Sequence, residues 1–214
     1  MTGRSPAGAP GSDRLLVGTV FLTFATAVAN TTAGAIAQPE IADAFGAGPG
    51  DVGAIVYGYS TTFAIMTLAY GSLARRFGLG RCLTLGVVLI ALGAAIAVVA
   101  VDLPMLVFAR ALQGFGAGAI PTLSMALISR RLAGLARARA LGVNVAAVGI
   151  GFAAGPLFGG LLLEAFGWRG TMALGLLVAP TALLYPRLAP EPGDPRARVD
   201  VPGIVLLATA VGGV

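Results

Sequence analysis

Residues 142–160 read GVNVAAVGIGFAAGPLFGG, an apolar stretch that contains six glycines and one proline. On a helix that turns about 100° per residue, the glycines form two groups of three on roughly opposite sides. One group is Gly151, Gly155 and Gly159, and the other is Gly142, Gly149 and Gly160. In a soluble helix each glycine would cost about 1 kcal/mol, whereas in lipid small residues allow close helix packing. The stretch therefore predicts a membrane helix that neighbouring helices approach closely on both faces.

The composition of the whole chain also indicates a membrane protein. Apolar residues make up 57% of the 214 residues and charged residues 11%, and the mean hydropathy is +0.91. The chain has no histidine and a single cysteine, Cys82. These counts exclude a Ser-His-Asp triad, a zinc site of the usual kind and an internal disulfide. The sequence thus predicts neither an enzyme nor a metal site. Because the chain also lacks lysine, it has no phosphate loop for ATP-driven transport.

Six segments are long and apolar enough to cross a bilayer, which takes about 20 residues. They are 15–38, 52–73, 83–101, 105–128, 140–163 and 170–189. A seventh segment begins near Val201 and has 14 residues before Val214, too few to cross. We therefore expect an all-α, six-helix transmembrane bundle with the start of a seventh helix, taken from a longer protein or a truncated gene. The predicted parts are a cytoplasmic tail (1–14), the bundle (15–189), a cytoplasmic loop (190–200) and the start of the seventh helix (201–214).

The arginines lie almost entirely on one side of these segments. Twelve of the 14 occur in the N-terminal tail and in the loops after segments two, four and six, namely Arg4, Arg14, Arg75, Arg76, Arg81, Arg130, Arg131, Arg137, Arg139, Arg187, Arg196 and Arg198. This pattern follows the positive-inside rule and does not indicate nucleic-acid binding. It predicts a multi-pass protein of the cell membrane whose N-terminus is cytoplasmic.

Polar residues inside membrane segments are candidate functional groups, and three of the segments carry polar or aromatic stripes. Segment one has Thr19, Thr23, Thr26 and Asn30; segment two has Tyr59, Phe63, Met66 and Tyr70; segment four has Arg110, Gln113, Gly114, Ala117, Pro121 and Ser124. The simplest arrangement turns all three stripes toward one polar cavity. Structural alternatives stay open, because Arg110 can bridge helices, threonines can bond the carbonyl one turn back, and aromatic rings can simply pack.

Three motifs resemble those of the major facilitator superfamily. Residues 71–81, GSLARRFGLGR, are similar to its motif A, G-x-L-a-D-R-x-G-R-K/R. Residues 110–116, RALQGFG, are similar to motif B. The glycines of 142–160 match the antiporter motif C, G-x8-G-x3-G-P-x2-G-G, at every fixed position. The chain thus resembles the N-terminal half of a transporter of this superfamily, and motif C is specific for its exporters.

Two further stretches resemble the 14-span drug:proton antiporter branch, although 12-span exporters stay open. They are the residues from Asn30 to Ile41 in and after segment one, and 200–203 at the start of segment seven. The resemblance implies proton-coupled efflux of small amphipathic molecules by alternating access, with no cofactor. The implied partners are a small-molecule substrate, the lipid bilayer and a C-terminal transmembrane bundle, from the same or another chain, that the sequence lacks.

The resemblance also implies roles for particular residues. Asn30, Thr26, Arg110, Gln113 and Tyr59 would line the substrate or proton-relay cavity. Gly71, Arg75, Arg76, Gly78 and Arg81 would form the cytoplasmic gating motif. Gly142, Gly151, Gly155, Pro156, Gly159 and Gly160 would form the antiporter motif.

The chain departs from the family pattern at two charged positions. Arg75 replaces the aspartate of motif A, and Asn30 stands where the antiporter branch has an aspartate in span one. All nine acidic residues lie in loops or near segment ends, so the coupling carboxylate is expected outside this half. Two alternatives to efflux remain, a metabolite uptake transporter of the same fold and a truncated membrane protein without transport activity.

Overall fold

All regular elements in the described part of the chain are helical. The computed structural model describes residues 10–190, 192–197, 199–200, 202–204, 206 and 209. The helices are α1 (Pro10–Ile36), α2 (Gln38–Phe45), α3 (Pro49–Phe77), α4 (Leu79–Val98), α5 (Leu103–Ala117), α6 (Ala119–Arg131), α7 (Gly134–Ala173), a 3₁₀ helix (Leu174–Leu183) and α8 (Tyr185–Leu188). Beyond residue 200, the described residues 202–204, 206 and 209 are helical, as expected for a seventh helix. Residues 1–9, 201, 205, 207, 208 and 210–214 of the predicted tail and seventh segment lie outside the described residues.

Five helical stretches are long and apolar enough to cross a membrane, and the last of them provides two crossings. That stretch runs from Gly134 to Leu188 and has 55 residues. Its backbone leaves helical geometry at Gly167, where φ is 68°, a value that favours glycine. Beyond this break the chain runs back beside α4: Arg169 donates to the carbonyl of Ala100 near the end of α4, and Tyr185 lies beside Gly80 at its start. The six-helix transmembrane bundle is therefore confirmed.

The helices extend beyond the apolar segments that predicted them. α3 ends at Phe77, four residues after the predicted span, and α7 begins at Gly134, six residues before it. The added turns carry exposed arginines, Arg75, Arg76, Arg137 and Arg139, so hydropathy marks the membrane core and not the helix ends. The 3₁₀ geometry of Leu174–Leu183 was not predicted. It contains Pro180, which has no N–H to donate and whose ring obstructs the carbonyl four residues earlier.

The close packing expected of the glycine stripes occurs on one face of α7 only. A methyl group on Gly151 would lie 2.6 Å from the carbonyl oxygen of Ala25, and one on Gly159 would lie 2.8 Å from Cα of Ala33. The second face is not packed by any of the described residues, since a methyl group on Gly142, Gly149 or Gly160 would meet no atom within 4 Å. Because the three packed glycines follow α1 in the same residue order, α1 and α7 run parallel.

The two ends of the bundle differ in character. At one end lie the arginine-bearing connections, where Arg131 bonds the carbonyl of Leu188 and the N–H of Asp194 donates to the carbonyl of Arg75 (2.8 Å). At the opposite end, the N–H of Trp168 donates to the Glu40 carboxylate (3.1 Å). The loop arginines that the sequence places on one side of the predicted spans thus lie at one end of the bundle.

Gly155→Ala and Gly142→Ala test the one-sided packing of α7, because both add one methyl group to the same helix. At Gly155 the methyl would clash with Thr32 and lie 2.7 Å from the carbonyl oxygen of Ala29. We expect Gly155→Ala to destabilise the detergent-solubilised chain by about 1–3 kcal/mol, measured as a lower midpoint of thermal unfolding. Gly142→Ala is the control and should leave the midpoint unchanged or raise it, because alanine favours helix. Equal effects of the two substitutions would contradict the packing.

Candidate functional site

Three polar side chains from two helices form a buried cluster inside the bundle. Arg110 and Gln113 lie on α5 and Asn30 lies on α1, with exposed fractions of 5%, 0% and 2%. Arg110 Nη1 donates to Gln113 Oε1 at 2.7 Å, and Asn30 Nδ2 approaches the same oxygen at 3.4 Å. Arg110 Nε, Gln113 Nε2 and Asn30 Oδ1 have no hydrogen-bond partner. The cluster therefore holds a charge that cannot be removed by deprotonation, together with unused donors.

Tyr59 of α3 joins this cluster to a cavity. The guanidinium carbon of Arg110 lies 4.8 Å from the centroid of the Tyr59 ring, a cation–π distance. The Thr31 hydroxyl on α1 donates to the Tyr59 hydroxyl at 2.9 Å, and the ring stacks on Phe63 with 6.0 Å between centroids. Tyr59 thus contacts the buried cluster through Arg110 and also lines the cavity.

The cavity has a volume of about 330 Å³ and lies between α1, α3, α5, α6 and α7. Most of its wall is aromatic or aliphatic, and the polar side-chain atoms of its lining residues are the hydroxyls of two threonines and Tyr59. Its lining residues include Phe24, Thr31, Thr32, Tyr59, Phe63 and Phe152. No acidic residue is among the described residues that line it. This volume is at the lower end of the range for small-molecule sites.

The polar arc predicted for α1 meets the last membrane segment as well as Gln113 of α5. Thr23 accepts a hydrogen bond from the Tyr185 hydroxyl of α8 (2.8 Å). A methyl group on Gly175 of the 3₁₀ helix would lie 3.0 Å from Asn30 Oδ1. Thr26 lines a separate cavity of about 160 Å³, between α1, α7 and the 3₁₀ helix. The arc therefore packs on the last membrane segment, and Thr26 does not share a cavity with Tyr59.

The other two stripes divide into a cavity part and a packing part. Tyr59 and Phe63 of α3 and Ala117 of α5 line the cavity. Further along, Met66 and Tyr70 are buried in the hydrophobic core. On α5, Gly114 packs directly on the backbone of Tyr59. Met66 and Tyr70, half of the aromatic stripe, therefore pack in the core and do not line the cavity.

Asn144 of α7 is a buried polar residue that the sequence analysis missed. Its exposed fraction is 4%, its Nδ2 approaches the Ser124 hydroxyl of α6 at 3.4 Å, and its Oδ1 has no partner. The signal that could have identified it was a lone amide side chain within an apolar segment, a segment that was interpreted only through its glycines. This pair links spans four and five away from the cavity.

The motif A residues form a sharp turn at the arginine-rich end. Gly78 separates α3 from α4 with a φ of 94°, so this position favours glycine. Arg75, Arg76 and Arg81 are exposed, and Arg76 Nη1 donates to the carbonyl of Ala197 at 3.3 Å. A cavity of about 300 Å³ beside the turn is lined by Arg75, Gly78 and Asp194, among others.

A second cavity at this end, of about 260 Å³, is lined by Gly71, Arg75 and Asp200. Arg75 therefore borders two acidic residues, Asp194 and Asp200, that follow the last span. No local sequence pattern predicts this arrangement, because the positions are more than 100 residues apart. No group of three or more potential metal ligands occurs in the described part of the chain.

Comparison with known proteins agrees with this geometry. The family model described as Major Facilitator Superfamily matches residues 19–211. The chain belongs to the major facilitator superfamily. It corresponds to the N-terminal half of a transporter, and its relatives are transporters and not enzymes.

Two curated relatives and one solved structure illustrate the similarity. Multidrug resistance protein Stp of Mycobacterium tuberculosis is 34% identical over 183 residues, 83% of this chain and 34% of that protein. Riboflavin transporter RibZ of Clostridioides difficile is 28% identical over 177 residues, 81% of this chain and 39% of that protein. The crystal structure of a mutant of the peptide transporter POT in complex with sulfate superposes with a TM-score of 0.75 at 17% identity, over 98% of this chain and 45% of that one. The chain thus spans between a third and a half of the length of each.

Gln113→Leu tests the dependence of Arg110 on its acceptor. The substitution removes the oxygen that both Arg110 and Asn30 approach. We expect it to lower the free energy of unfolding in detergent micelles by about 2 kcal/mol, since a hydrogen bond to a buried charge is lost. Adding Arg110→Met should recover most of this loss, because no charge is then left without an acceptor. A double variant as unstable as Gln113→Leu alone would argue against the dependence.

Arg75→Asp tests the contact between motif A and the segment after the last span. The new carboxylate would face Asp194 and Asp200 across the two cavities, and like charges repel. With Ala197→Cys as the reporter in a Cys82→Ala background, we expect Arg75→Asp to increase the rate of maleimide labelling severalfold. Arg81→Asp is the matched control, because Arg81 lines neither cavity. Equal labelling rates in the two variants would refute the contact.

Proposed function

We propose that this chain is the N-terminal half of a proton-driven exporter of small amphipathic molecules. Its bundle would pair with a second transmembrane bundle, and the substrate would bind between them near the membrane midplane. Rocking of the two bundles about that site would give alternating access. The proton gradient would be the energy source, with no cofactor.

The complete antiporter motif is the observation that carries the direction of transport. Its packed face fixes α7 on α1 through Gly151, Gly155 and Gly159, which closes the route between these helices. Its other face is free to meet the second bundle. In support, the relative Stp is named as a multidrug resistance protein, and the binding cavity has the aromatic and aliphatic wall that amphipathic molecules require.

We assign distinct roles to the two parts of the site. Tyr59, with Phe63, forms part of the wall on which substrate packs, and Arg110 with Gln113 bonds either the substrate or the coupling carboxylate. Asn30 supplies a neutral hydrogen bond to Gln113, and Thr26 stabilises the contact with the last span. The coupling carboxylate itself would come from the second bundle, because no acidic residue lines the described cavity.

We further propose that the arginine-rich end faces the cytoplasm of the cell in whose membrane the protein lies. The positive-inside rule supports this orientation, and it makes the N-terminus cytoplasmic. Gly71, Arg75, Arg76, Gly78 and Arg81 would then form the cytoplasmic gate. Pro156 would act with the glycines of the antiporter motif in shaping span five.

Uptake of a metabolite by the same fold is the second candidate function. The relative RibZ is named as a riboflavin transporter, so a single defined metabolite is a reasonable alternative to a range of drugs. Net accumulation of a labelled metabolite in cells, with no efflux of any dye, would favour it. A membrane protein without transport activity would show neither.

Arg110→Ala tests the proposed function. In inverted vesicles, the protein expressed to its natural stop codon should accumulate amphipathic dyes when a proton gradient is imposed. We expect Arg110→Ala to reduce the initial rate about tenfold or more, through loss of a charged hydrogen bond, with normal insertion into the membrane. Arg187→Ala is the control, because this exposed arginine donates to the carbonyl of Leu183 within its own turn. Undiminished transport by Arg110→Ala would leave Arg110 a structural residue.

A further inference from the structure

We propose that the wall built by this chain selects planar aromatic ligands that are anionic or carry a strong hydrogen-bond acceptor, and that it disfavours cations. This inference rests on the proposed function, because it names the substrate class of the same cavity. It follows from three features of the site, namely its rings, its charge and its unused donors.

The first feature is the number of aromatic rings around one small volume. Phe24 of α1, Tyr59 and Phe63 of α3 and Phe152 of α7 contribute rings to a cavity of about 330 Å³. Aromatic groups prefer offset-stacked or edge-to-face arrangements with one another, and Tyr59 and Phe63 already stack with planes 9° apart. A planar ring system is the ligand shape that extends this stack with the largest contact area.

The second feature is the sign of the charge behind the wall. The guanidinium carbon of Arg110 lies 4.8 Å from the centroid of the Tyr59 ring, and Tyr59 lines the cavity, so a group stacked on the opposite face of this ring would lie about 8 Å from the guanidinium. At an effective dielectric constant of about 20, this separation changes a dissociation constant roughly thirtyfold, in favour of an anion and against a cation. None of the described residues that line the cavity is an acid that would reverse the effect.

The third feature is the set of donors without acceptors. Arg110 Nε and Gln113 Nε2 are both buried and have no hydrogen-bond partner, and buried polar groups are normally paired. Both belong to side chains of the cluster next to Tyr59. Neither side chain lines the cavity, so the Tyr59 ring must turn aside before an acceptor on the ligand can use these two donors. A ligand with a planar aromatic group at one end and a hydrogen-bond acceptor at the other would therefore use both the aromatic wall and the donors.

Two xanthene dyes of opposite charge provide a direct test. Fluorescein methyl ester is an anion and tetramethylrhodamine methyl ester is a cation at slightly alkaline pH, and both have the same fused ring core. Binding of each is measured by fluorescence anisotropy to the protein, expressed to its natural stop codon, in nanodiscs of uncharged lipid. We expect the anion to bind about tenfold more tightly or better. Tighter binding of the cation, equal binding of both or binding of neither would overturn the inference.

Asn30→Asp tests the electrostatic cause of the preference. A carboxylate at this position, next to the acceptor shared with Arg110, would neutralise the charge behind the wall. We expect the affinity for the anionic dye to fall about tenfold and that for the cationic dye to rise. Asn144→Asp is the matched control, since Asn144 is equally buried but does not line the cavity. It should leave the ratio of the two affinities unchanged.

Binding without a gradient and transport with one separate the inference from the proposed function. Selective binding of the anionic dye with no gradient-driven transport of any dye would support the ligand class and refute the exporter. Gradient-driven transport with tighter binding of the cationic dye would support the exporter and refute the ligand class. Because the wild-type comparison needs no substitution, the result does not depend on any variant folding.

Discussion

The contact between the glycine face of α7 and the small-residue face of α1 is the constraint on which the rest of the bundle depends. In lipid, apolar surface alone does not bring helices together, so association needs close packing. Gly151, Gly155 and Gly159 provide it along two turns of α1, against Ala25, Ala29 and Ala33. This contact fixes the rotation of α1 about its axis. That rotation determines which neighbouring helix each of the other side chains of α1 contacts.

The functional cluster follows from the same rotation. With Ala29 against α7, Asn30 is turned by about 100° and Thr31 by about 200° on the helix. Asn30 therefore meets Gln113 beside the 3₁₀ helix, and Thr31, about 100° further round α1, meets Tyr59. α1 thus contributes Asn30 to the buried cluster around Arg110 and Thr31 to the cavity wall. The glycines of α5 bring α3 and α4 close enough to complete this arrangement.

Patterns within one segment predicted the local features of this structure well, and contacts between segments poorly. Hydropathy and glycine spacing identified the spans and the packed face of α7, because lipid exposure and close approach act on each helix separately. The same patterns placed Thr26 with Asn30, which is true of the helix but not of the cavity. A helical arc shows which residues share a side and does not show which neighbour that side meets. The approach of Asp194 and Asp200 to Arg75 depends on chain folding over more than 100 residues and has no local signal.

The permanent charge of Arg110 connects the proposed ligand class with the proposed coupling. An arginine cannot discharge its proton within a transport cycle, so its charge needs a compensating group in every state of the cavity. An anionic ligand compensates it while bound, and a deprotonated carboxylate of the second bundle would compensate it after release. These two groups would compete for one guanidinium, so that only one of them compensates Arg110 at a time. Asn30 in place of an acid is consistent with this scheme, because a fixed carboxylate at that position would satisfy Arg110 permanently and remove the competition.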